Sequence, residues 1–168
     1  LNLNTVLVAI AWAWVEPEEG RFDFSLVDGL LAGARENNQR VIFLWFGSWK
    51  NGLSSFVPAW VKRDQERFPR VRLRSGKSVE ILSPFSTAAR DADTRAYVRF
   101  VAHLRDADPQ HTCIMLQMQN EVGVLGDSRD HSDLANAAFS QTAPAALLNH
   151  LAAQRETLSP ALLKLWHA

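Results

Sequence analysis

The sequence predicts an α/β fold built on a parallel sheet, and three observations predict it. Thr5 to Ile10 and Val41 to Trp45 are short, continuous, β-branched-rich runs that suit strands covered on both faces. A helical pattern separates them, and a strand–helix–strand unit strongly favours a right-handed parallel crossover. A third apolar run, Cys113 to Met118, follows a second helical pattern and leads into Gln119-Asn120-Glu121.

The elements follow in order. Ser25-Leu26-Val27-Asp28 has the form of a capping box, a side-chain acceptor with an acid three residues on. Val27, Leu30, Leu31 and Ala34 then recur at helical spacing, and the helix should end near Asn37-Asn38. From Phe46 to Ser86 the rhythm breaks, with Gly47, Gly52, Pro58, Pro69, Gly76 and Pro84 punctuating an excursion that holds one short helix near Ala59 to Asp64. Long excursions after a strand usually carry function or binding. A second long helix is expected from about Thr87 to Asp106. Tyr97, Phe100, Val101 and Leu104 form its apolar face, and Arg90, Asp91, Arg95 and Arg99 point largely to water. After Glu121 a Gly/Asp-containing loop leads to helical patterns near Pro144 to Glu156 and Pro160 to Trp166.

Composition narrows the function. Eighteen basic residues balance eighteen acidic ones, so there is no electrostatic footprint for nucleic acid or an anionic membrane surface, and a neutral substrate such as a sugar fits better. Six Trp and nine Phe can fill a sizeable core. Cys113, the single cysteine, sits in an apolar strand as a small hydrophobe and cannot form an internal disulfide. No apolar run approaches the roughly 20 residues that span a bilayer. The chain enters its first apolar run almost at once without an initiator Met or a signal-type segment, so processing or truncation is expected to have removed the natural start.

Glu121 is the leading candidate for chemistry, because a carboxylate at the carboxyl end of a buried parallel strand lies on the face where α/β barrels act. The plainer alternative is that Asn120 and Glu121 only end a strand and start a turn. An apolar strand end would also desolvate the acid. The histidines His103, His111, His131, His150 and His167 show no metal-ligand spacing, and no metal or cofactor is expected. No phosphate-cradling loop, dinucleotide fingerprint or nucleophile elbow is present. Flat aromatic faces suit the apolar face of a pyranose, yet a Trp is more often core. Trp49 is the exception, set beside Ser48, Lys50 and Asn51 in what reads as a polar loop whose Lys50 and Asn51 could bond sugar hydroxyls. Glu16 reads as a structural acid beside Pro17, and Glu18, Glu19 and Asp23 as surface.

Three ordered motifs carry a resemblance. Trp12-Ala13-Trp14-Val15-Glu16-Pro17 with Gly20, Phe22 and Phe24, then Val57-Pro58-Ala59-Trp60-Val61, then Gln117 to Gly123 resemble segments of family 35 β-galactosidases. The segment Trp45 to Gly52 is similar to a bacterial subgroup of them. The resemblance implies a retaining (β/α)8 TIM barrel. The chain, well short of the roughly 250 residues of a closed barrel, would supply about strands 2 to 4 with their helices, residues 1–168 forming a partial catalytic domain. It further implies that Glu121 is the general acid/base and Asn120 bonds the sugar 2-hydroxyl. Trp12 becomes a substrate-contact candidate alongside Trp49, Lys50 and Asn51. The nucleophilic Glu would come from a seventh strand outside this chain, with hydrolysis of terminal β-galactosides in the periplasm or outside the cell. The sequence departs from the family pattern at Gln119, Asn51 and Val122, which bears on galactose preference more than on reaction type. The alternative is a non-catalytic carbohydrate-binding or structural α/β module that uses the aromatic loops without turnover.

Overall fold

The structure is a computed structural model that describes residues 3–166. The chain divides into two compact units, Leu1–Ala135 and Asn136–Ala168. The first holds β1 (Thr5–Ala11), α1 (Trp12–Val15), α2 (Ser25–Glu36), β2 (Arg40–Lys50), α3 (Ala59–Arg63), β3 (Arg70–Arg72), β4 (Ser78–Leu82), α4 (Thr87–Ala107) and β5 (Cys113–Asn120). A helix α5 (Asp133–Phe139) spans the division. The second unit holds α6 (Ala145–Ala153), a 3₁₀ turn (Arg155–Thr157) and α7 (Pro160–Trp166), and α6 and α7 bury no described side chain.

The three long strands form one parallel sheet in the order β1-β2-β5, as expected. Ile10 pairs with Trp45 and Trp45 with Met118, while a register shift brings Lys50 opposite Asn120. All three strands therefore end on the same edge. Alternation sends Ile10, Val41, Phe43 and Trp45 into a core with Val27 and Leu31 of α2 and Ala89, Ala96, Phe100 and Leu104 of α4. Phe100 meets Phe43 edge-on at 5.8 Å and stacks on Trp45 at 5.4 Å. Losing that ring, in Phe100→Ala, should cost about 3–5 kcal/mol. On the opposite face Leu7, Ile42 and Met115 lie in one cross-strand row, with Leu7 65% and Met115 59% exposed.

Three local expectations are corrected. Ser25 caps nothing with its side chain, because the chain is already turned at Phe24 and Ser25 is the first helical residue. Asp23 Oδ1 accepts the Ser25 N–H at 2.9 Å instead. The side-chain cap belongs to α4, where Ser86 Oγ accepts the Ala89 N–H at 3.2 Å. β2 runs on to Lys50, beyond its expected end at Trp45. The excursion contains an antiparallel hairpin, β3 with β4, turned at Gly76 in the left-handed region at φ +83°.

Candidate active site

The carboxyl ends of β2 and β5 are tied together residue by residue. The Asn51 N–H donates to the Asn120 carbonyl at 3.1 Å and the Gly52 N–H to the Glu121 carbonyl at 3.0 Å. Asn120 Nδ2 donates to Asn51 Oδ1 at 2.9 Å, and Lys50 Nζ donates to the same oxygen. Lys50 also lies over the Phe46 ring, 5.0 Å from its centroid. The structure thus brings Lys50, Asn51, Asn120 and Glu121 together.

The backbone here is unusual. Asn51, Gly52, Gln119 and Glu121 have φ of +53°, +63°, +61° and +50°. Asn and Gly adopt the left-handed region readily, whereas for Gln119 and Glu121 it costs about 1 kcal/mol or more each and persists only when neighbours over-determine it. The cross-strand bonds at Asn120 and Glu121 supply part of that constraint. The Glu121 side chain is exposed, and among the described residues nothing hydrogen-bonds or ion-pairs with its carboxylate. The burial expected at this strand end is absent because β5 is an edge strand of the sheet.

Beside the pair lies a buried polar cluster. Asp93 of α4 is buried, and its Oδ1 accepts the Trp45 Nε1–H at 2.9 Å. Its Oδ2 accepts the Ser48 N–H at 2.8 Å and Gln119 Nε2–H at 2.5 Å, while Gln119 Oε1 accepts the Trp49 N–H at 2.9 Å. The carboxylate sits so close to Gly47 that an added Cβ would lie 2.3 Å from Asp93 Oδ1. A cavity of about 260 Å³ is bounded partly by Ser48, Trp49, Asp93, Tyr97 and Gln119, and Glu121 is not among its walls. Neither Asp93 nor Gln119 was singled out as a site residue from the sequence. The available signal was an acid lying three residues from Ala96, four from Ala89 and seven from Phe100, on the buried stripe of the helix.

The tryptophans are placed differently from expectation. Trp12 is fully buried, its Nε1–H donating to Glu16 Oε2 at 2.8 Å, so it is a core residue and not a sugar contact. Trp49 is only 9% exposed and packs with Val71 and Ile81, since the extension of β2 makes position 49 part of a strand laid against the β3–β4 hairpin. Glu16 is a structural acid. It is fully buried, and its Oε1 accepts the Gly20 N–H at 2.8 Å and Arg95 Nη2–H at 3.0 Å. Arg95 and Arg99 are accordingly not simply solvated, Arg99 lying 5.2 Å over the Phe22 ring. Glu19 makes a two-pronged pair with Arg67 at 2.8 and 2.9 Å. His103 stacks on Phe24 and contacts Asp28 at 2.6 Å.

The loop after Glu121 is anchored by acids. Asp130 is buried and accepts from Ser83 Oγ at 2.6 Å, the Ser132 N–H at 2.7 Å and the Arg72 N–H at 3.1 Å. Asp127 accepts the Arg74 and Ser128 N–H groups, which hold its carboxyl down at about 2. Among the described residues no group of His, Cys, Asp and Glu is arranged to hold a metal ion, and no helix is long and apolar enough to cross a membrane. His167 lies outside the described residues.

A glycoside hydrolase family 42 model, described as β-galactosidase, matches residues 1–156. Among solved structures, a family 42 β-galactosidase from G. stearothermophilus superposes with a TM-score of 0.59, and its catalytic mutant with 0.61, both at 22% identity. The cold-adapted β-galactosidase from Rahnella sp. superposes with a TM-score of 0.56 at 21% identity. Each match covers 81% of this chain but 19% of the other, so the chain spans about a fifth of the length of the structures it matches. At this identity the likeness shows the fold, a part of a barrel. No curated protein matches.

Proposed function

The chain belongs to the family 42 β-galactosidases, and from that premise we propose that it supplies the acid/base side of a retaining site that hydrolyses terminal β-galactosides. Membership corrects the resemblance to family 35. The motifs behind that resemblance are short segments around strand ends, which barrels of one architecture place alike, and they did not separate the two families. Residues 1–168 are, on this reading, part of a catalytic barrel whose nucleophile comes from a strand outside this chain.

Each residue has a chemical task. Glu121, protonated, gives its proton to the leaving oxygen as the nucleophile attacks, then takes one from the water that releases the sugar. The nucleophile must stand about 5–5.5 Å away for retention. Asn120 bonds the 2-hydroxyl, and Lys50 and Asn51 bond further hydroxyls. Trp49 braces their turn from behind. The observation that carries this reading is the hydrogen-bonded junction of Lys50-Asn51 with Asn120-Glu121 at the carboxyl edge of a parallel sheet.

The test uses the protein carrying this chain, assayed on aryl β-galactosides of good and poor leaving groups with and without azide. In Glu121→Ala, substrates with poor leaving groups should slow far more than those with good ones, because a good leaving group needs little protonation. Azide should accelerate the mutant and yield a β-galactosyl azide. Equal loss on all substrates with no azide product removes Glu121 from the role. Sugar binding with no turnover by the wild type favours the non-catalytic module instead.

A further inference from the structure

We propose that Asp93 and Gln119 form a positioning clamp that sets the backbone of Asn120-Glu121, so that Asp93 acts on catalysis without touching substrate. The inference rests on the acid/base reading of Glu121.

The clamp joins three elements through two side chains. Asp93 reaches from α4 to take the Trp45 indole N–H on one oxygen, and on the other both the Ser48 N–H of β2 and the Gln119 amide of β5. Gln119 returns its own oxygen to the Trp49 N–H. Both Gln119 hydrogen-bonding ends are thus committed, one to α4 and one to β2, at a residue held in the left-handed region at φ +61°. That conformation is sparsely populated for glutamine and needs such over-determination. It also directs the next two residues: it turns the chain where the regular β2–β5 register breaks, between Trp45–Met118 and Lys50–Asn120. Gly47 leaves the space in which the carboxylate sits. A buried carboxylate costs free energy unless several donors meet it, and three meet this one.

Gln119 makes the clamp independent of proton supply. An amide donates to a carboxylate at any pH, whereas a glutamate at this position would face Asp93 as a second carboxylate, and the two could stay together only by sharing a proton. The other ionisable groups on the walls of the same cavity are Arg90, which pairs with Asp91 at 2.8 Å, and Tyr97.

Gln119→Glu is therefore the decisive variant. In the protein carrying this chain, kcat of Gln119→Glu on a poor-leaving-group aryl β-galactoside should match wild type at acid pH. It should fall about 10- to 100-fold as pH rises and the shared proton leaves, the order that a displaced catalytic group costs. KM should stay within about twofold, the mark of an interaction made only in the transition state. Asp93→Asn, which turns an amide toward N–H donors, should lower kcat at every pH. The backbone amide NMR signals of Asn120 and Glu121 in the full chain should titrate in Gln119→Glu along with the Trp45 indole N–H. A pH profile superimposable on wild type, or Asn120 and Glu121 signals that stay still while the indole moves, overturns the clamp. Absence of any wild-type hydrolysis sinks the β-galactosidase reading instead, and the amide titration still decides the clamp.

Discussion

Glu121 stands just beyond β5 and Glu16 one short helix beyond β1, both on the carboxyl side of the same parallel sheet, and they have opposite surroundings. Glu16 is fully buried and both oxygens of its carboxylate are met, by Trp12, Gly20 and Arg95. Glu121 is exposed with no partner among the described residues, while its backbone is pinned to Gly52. A saturated acid stabilises a fold and has no capacity left for a substrate. An acid whose main chain is fixed and whose side chain is free is positioned for one. Position on the carboxyl side of the sheet alone therefore does not separate the two acids; the donors around each carboxylate do.

Mutating the two acids should separate these roles, and the largest effect falls on activity. Glu121→Ala should slow a poor-leaving-group galactoside by about 10²- to 10⁴-fold while its unfolding free energy stays within about 0.5 kcal/mol of wild type. A matching loss of stability, seen as a shifted denaturant midpoint, would erase the contrast. Glu16→Ala should do the reverse, costing about 3 kcal/mol because buried donors of Trp12 and Gly20 and the Arg95 charge lose their acceptor. Urea unfolding at unchanged slope measures it.

A smaller effect comes from acid. Burial pushes the Asp108 carboxyl up, but the Cys113 N–H, Arg35 and Thr112 together hold it below its ordinary value. Asp130 is likewise raised by burial and brought below by Ser83, Ser132 and the Arg72 N–H. Between the folded and unfolded values the unfolded chain binds more protons. Their stabilisation is therefore complete above about pH 4, the unfolded carboxylate range, and is lost as pH falls through the folded values. Melting curves from pH 5 to 2 should show the decline, and Asp108→Asn and Asp130→Asn should each flatten it. Smallest of all is Glu18→Ala. Its pair with Arg21 is about 70% exposed on both sides, so the change should stay within about 0.5 kcal/mol, and anything larger would mean that exposure is the wrong guide to an acid's role.

Much of the fold was legible because periodicity is local. The runs at Thr5, Val41 and Cys113 became strands, and the apolar faces of α2 and α4 became core. What escaped depends on partners distant in sequence. Trp12 is the local exception: its indole is taken by Glu16 only four residues on, an acid that itself read as structural. Trp49 looked like a loop residue because β2 continues only where the hairpin at Arg70 and Ser78 covers it. Asp93 was hidden among charges of a helix whose exposed face is also charged. Its partners Trp45, Ser48 and Gln119 come from two other strands, and only their convergence explains a buried acid. Asn51 and Lys50 were named by residue type, whereas the bonds of Asn51 to Asn120 are visible only in the geometry.

The pairing pattern also has a temporal consequence. Val6 meets Val41, while Val41 meets Cys113 across about twice the sequence separation, and the closure entropy of the second pairing is larger by about 0.6 kcal/mol. The β1–α2–β2 unit also leaves the ribosome before β5, so it should assemble before β5 and present its open edge as a template for it. Asn120 and Glu121 then acquire their geometry only when β5 docks on β2, and they lose it as soon as that edge of the sheet opens.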